Sequence, residues 1–153
     1  MASVSLRCIS QSCWCSCRIL HLIILLAAIV ALVTGCAPPA VPCVPASTAQ
    51  VAIIADGLRQ VEPGANVLGA FRVKSDVHRN AWYVAAHFTV PGVPEGAVGL
   101  WLVSGLPEQP GTVLSVDHIA LNFSPWPDGT KSDAQASQLD PSAQRAEKCA
   151  GGP

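Results

Sequence analysis

Charge is scarce in this chain. Of its 153 residues 12% are charged, and the formal net charge is −1. The basic face that grips phosphate backbones is therefore missing, which argues against a nucleic-acid partner. Aromatic residues make up only 5%, with a single tyrosine, and there is one methionine. Equally absent are a glycine-rich phosphate loop, a Gly-x-Ser-x-Gly elbow and a His-Glu-x-x-His pair, so three common routes to catalysis find no foothold. The length allows one modest domain and excludes a two-domain solute-binding protein, a multi-span transporter or a Rossmann enzyme. No acidic residue precedes Asp56.

What is abundant is hydrocarbon, and it is concentrated. Residues 19–33 form an apolar run interrupted only by His21 and preceded by Arg7 and Arg18. A basic start followed by such a stretch matches a secretory leader. As a helix it covers about 22 Å, short of the roughly 30 Å hydrocarbon core of a bilayer. A retained membrane anchor is the alternative. The run ends in Leu32-Val33-Thr34-Gly35-Cys36, which resembles the lipobox of bacterial lipoproteins. That resemblance implies cleavage after Gly35 and a diacylglyceryl group on the Cys36 thiol, with acylation of the new amine. Two or more acyl chains hold a protein stably on a membrane without spanning it. The expected location is thus the extracytoplasmic face of the cell membrane, and the expected membrane contact is the Cys36 lipid.

Cys8, Cys13, Cys15 and Cys17 fall inside the leader. The one-residue gaps of Cys13-Trp14-Cys15-Ser16-Cys17 do not fit structural zinc, and no metal is assigned there. From Cys36 onward seven basic residues face ten acidic ones, a net charge of −3, so the lipid rather than the surface would do the anchoring. Residues 36–46 carry Pro38, Pro39, Pro42 and Pro45 and read as an extended tether. With Cys36 lipidated, only Cys43 and Cys149 remain. Two thiols in an exported protein are expected to form one disulfide, two separate surface thiols being the alternative.

Residues 47–150 read as a single α+β domain, followed by a tail at 151–153. Ser47-Thr48-Ala49-Gln50 is a capping box, and Gly57 is expected to stop the helix it opens. Strands are expected at 66–75, 81–90, 97–104 and 112–118, joined by loops at 91–96 and 105–111. The alternation places Val67, Gly69, Phe71 and Val73 on one face of the first strand. Asp140-Pro141 opens a terminal helix through Cys149. The expected fold is a four-stranded antiparallel sheet flanked by an N-terminal and a C-terminal helix packed on one face. A small β-barrel is the alternative.

The segments Trp82–Ala86, Val98–Trp101, Phe123–Gly129 and Ala146–Cys149 resemble a recurrent group of small secreted or lipid-anchored proteins of high-GC Gram-positive bacteria. The resemblance implies one domain and transfers no catalytic residue. His78, His87 and His118 show no metal-ligand spacing, so no metal, cofactor or catalytic residue is assigned. Trp126, between two prolines, is the expected exposed aromatic, and Tyr83 and His87 are further candidate ligand contacts. The expected role is a non-catalytic binding module for an envelope protein or glycan. The alternatives are a lipid-anchored hydrolase using His87 or His118, and an inhibitory or structural module acting through the Trp126 loop.

Overall fold

The computed structural model describes residues 42–151. The leader, Cys36, most of the tether and the last two residues lie outside them. The first helix, α1 (Thr48–Val61), starts as expected: the Gln50 N–H donates to Ser47 Oγ at 3.2 Å, and Ser47 N–H donates to Gln50 Oε1 at 3.1 Å. It runs four residues past Gly57, whose place inside the helix has a packing cause given below. Its Ile54 and Leu58 are fully buried.

The sheet is an open antiparallel meander of five strands: β1 (Val44–Pro45), β2 (Asn66–Lys74), β3 (Ala81–Val90), β4 (Val93–Leu106) and β5 (Gln109–Ser115). The α+β class holds, with an open sheet where the alternative was a barrel. The extra strand, β1, comes from the end of the expected tether, where Val44 pairs with Arg72 and Pro45 with Phe71. The two expected loops shrink to tight turns because β4 is 14 residues long. Val90 pairs with Val93 across Pro91-Gly92, and Leu106 pairs with Gln109 across Pro107-Glu108. Proline supplies the fixed φ of the first central position at Pro91, and Gly92, at φ 87°, supplies the left-handed second.

Register in β2 departs from simple alternation. Val67 lies opposite Phe88, but Gly69 lies opposite His87, so Leu68 is an extra residue on this strand. Such a bulge shifts the inside–outside pattern by one. Val67 thereby joins Ala70 and Phe88 against α1, while Phe71 and Val73 pack on the other face.

The helices do not share a face, contrary to expectation. Helix α1 and the short α2 (His118–Phe123) cover Val84, Ala86, Phe88, Trp101 and Val103. Helix α3 (Pro141–Cys149) covers Tyr83, Ala85, Leu100 and Leu102 through Ala143, Ala146 and Ala150. The reason lies in β3 and β4, which are apolar at odd and even positions alike. A sheet of that kind exposes a hydrophobic surface unless both faces are covered. Cys43 and Cys149 form a disulfide with Cα atoms 5.5 Å apart, which ties the residue before β1 to the end of α3. Among the described residues no helix is long and apolar enough to cross a membrane.

Candidate functional site

The two expected aromatic contacts lie on opposite faces of the sheet. Trp126 is half-buried, and its indole lies edge-to-face on Trp101, with centroids 6.3 Å apart at 84°. Its ring edge occupies the space above Gly57: a Cβ built there would lie 2.1 Å from Trp126 Cη2. Glycine is thus present in mid-helix to admit an indole, and the flanking prolines turn Trp126 inward rather than outward. Trp101 Nε1 donates to Ser124 Oγ at 3.0 Å, and Ser124 Oγ lies 3.1 Å from Ser115 Oγ, so the polar edge of this aromatic pair is satisfied.

Tyr83 sits on the opposite face of the sheet and is fully buried. Its hydroxyl donates to Asp140 Oδ2 at 3.3 Å. Burial first, and the Asp140 charge second, push its pKa up to about 12. Asp140 also caps α3 by accepting from Ser142 N–H at 2.8 Å. Tyr83 is therefore a core residue tied to a helix start. His87 is half-buried, and a Cβ on Gly96 would come within 2.5 Å of its Nε2. It pairs with Val98 in register. The three expected contact residues thus do not converge on one site.

A cleft of about 490 Å³ does gather chemistry, on the α3 side of β4. Val98 and Ile119 form its apolar wall, and Asp117, His118, Gln138, Glu147 and Gly151 supply its polar lining. Asp117 is there because it caps α2, accepting from Ala120 N–H through Oδ1 at 2.7 Å. Glu147 is there because α3 lays its alanine stripe on the sheet, which brings this neighbouring carboxylate half inward. Gln138 Nε2 donates to Glu147 Oε1 at 2.7 Å.

The two carboxyls are both pushed up from the ordinary range. For Asp117, burial is the main cause, opposed by the backbone N–H groups of Ala120 and Leu100 and by His118. For Glu147, burial again leads, the Gln138 amide opposes it, and the Asp117 charge adds to it. Two carboxyls raised chiefly by burial and lining one cleft make it a candidate functional site. Among the described residues no hydroxyl or thiol lines the cleft. Among the described residues no three His, Cys, Asp or Glu side chains gather as a metal-ligating group.

His118 was a candidate for hydrolase chemistry, but the expected strand over 112–118 ends at Ser115, and Asp117 and His118 open a helix instead. Glu147, Gln138 and Gly151 were not foreseen. The readable hint was Glu147 beside the stripe Ala143, Ala146 and Ala150, a carboxylate bordering an apolar helix face. A second cavity of about 300 Å³ is lined by Arg79 and His78 over Leu102 and Leu114, and it contains no acid. No family model, curated protein or solved structure matches the chain.

Proposed function

We propose that this chain is an extracytoplasmic lipoprotein, anchored through Cys36, whose domain is a non-catalytic binding module using the Asp117–Glu147 cleft. The observation that carries the reading is the Cys43–Cys149 disulfide. It lies seven residues beyond the lipobox cysteine, and disulfides persist in oxidising compartments outside the cytoplasm. Its position also suits a tether. With Cys43 pinned to α3, the free link from Cys36 to Cys43 spans roughly 20–25 Å when extended, which keeps the domain near the bilayer while leaving it free of the lipid.

The binding reading is supported by the cleft's apolar wall and its few convergent polar groups. Of the two histidines considered for a hydrolase, His118 lines the cleft and His87 does not. A module acting through Trp126 gains no support, because that indole is packed on Gly57. The test is metabolic labelling with a fatty-acid probe. Label on the wild type and none on Cys36→Ala is the expected outcome, and label retained on Cys36→Ala would refute the anchor.

A further inference from the structure

We infer that the cleft takes a small organic cation, a primary ammonium or a guanidinium carried on a short apolar body. The inference rests on reading the cleft as a binding site, and it adds the class of ligand. Asp117 is only 6% exposed, and Glu147 is half-buried across the same space. Burying carboxylates is costly unless positive charge or hydrogen bonds compensate. The four ion pairs among the described residues join Arg59 to Asp56, Arg72 to Glu108, Lys131 to Asp128 and Arg145 to Asp76. None involves Asp117 or Glu147.

Among the described residues, the exposed His118 is the only basic side chain lining the cleft. Backbone N–H groups on Asp117 and one amide on Glu147 leave two anionic groups facing a volume that a small ligand fills. An ammonium placed between them would gain charge-assisted hydrogen bonds to both. An anion would meet two like charges. Val98 and Ile119 offer hydrocarbon contact to the carbon chain behind the charge. A divalent metal suits the site less, because two carboxylates without a third ligand fall short of the coordination such ions require.

The unit from Val41 onward contains both hydrophobic cores, the disulfide and all four ion pairs, so the test uses that unit in its oxidised form. Methyl NMR of Val98 and Ile119 is followed during titration with n-butylammonium, n-butylguanidinium and the neutral n-pentanol. We expect saturable shifts with the cations and about tenfold weaker binding of the alcohol, consistent with charged hydrogen bonds. Glu147→Gln is expected to weaken cation binding about tenfold, and Asp117→Asn, which keeps a capping residue, to do likewise. Affinity should fall on acidification as Asp117 and Glu147 take protons. Equal response to alcohol and ammonium, or unchanged affinity in both folded variants, would overturn the inference. So would calcium or zinc displacing the ammonium at lower concentration. The Cys36 labelling result is independent of all of these, so either reading can fail alone.

Discussion

Gly57→Ala is the sharpest test of the packing described above, because two physical effects predict opposite signs. Replacing glycine by alanine inside a helix ordinarily stabilises it by about 1 kcal/mol. Here the new methyl would stand 2.1 Å from Trp126 Cη2 and 2.5 Å from Cζ2, and an indole cannot bend away as a flexible chain end can. Trp126 must leave its place or α1 must shift. Overpacking of this kind costs about 1–3 kcal/mol, and loss of the edge-to-face pair with Trp101 costs a further ~0.5–1.5 kcal/mol. Set against the propensity gain, the net expectation is destabilisation by about 1–3 kcal/mol. Urea unfolding of wild type, Gly57→Ala, Trp126→Ala and the double variant measures it. In the Trp126→Ala background the obstacle is gone, and Gly57→Ala should turn stabilising by about 1 kcal/mol. A stabilised Gly57→Ala single variant would refute the close approach of indole and helix.

The lone tyrosine makes a second prediction easy to read, since phenolate absorbance reports Tyr83 alone. Its folded pKa lies above the unfolded value, so its contribution to stability is complete below about pH 10 and is lost as pH rises toward about 12. Phenolate should appear only near the upper value or on unfolding, and a midpoint near 10 in the folded protein would contradict the burial. Replacing both Cys43 and Cys149 by serine should cost about 2–5 kcal/mol, given that the bridge closes a loop of roughly a hundred residues; an unchanged urea midpoint would count against the disulfide. Asp117 and Glu147 also bind protons more tightly folded than unfolded. Their contribution is therefore complete in acid and is lost as pH rises through the folded values. Glu147→Gln should then raise the thermal midpoint at neutral pH by a few degrees at most, an advantage that vanishes in acid. A benefit that grows on acidification would refute this assignment.

The local rules were legible and the long-range ones were not. Ser47 and Asp140 announced their helices because a cap is a contact within four residues. β3 was legible from its expected range, 81–90, which is the range observed. Gly57 misled because its partner, Trp126, lies nearly seventy positions away in the chain, and only the fold brings an indole over the helix. The bulge at Leu68 leaves no mark in composition, yet it decides which face Val67 joins. The two-sided apolar character of residues 97–104 was visible, and it required a cover on each face. Assigning both helices to one face ignored that requirement. At the candidate site, the cysteine pair was readable from counting, whereas Glu147 was hidden in an otherwise polar terminal helix.

These features are coupled through one covalent link. Glu147 and Gly151 stand two residues before and two after Cys149, and both line the cleft. The bridge to Cys43 therefore holds the last turn of α3, one wall of the cleft, against the sheet at the point where a helix end would otherwise fray. The opposite wall is fixed by the Asp117 cap and by the Val116 N–H, which donates to the Leu100 carbonyl at 2.9 Å. A loose helix end would move Glu147, and with it the polar lining that α3 contributes, away from Asp117. Within this domain, the bond that joins Cys43 to the end of α3 is also the bond that holds the helix turn carrying Glu147.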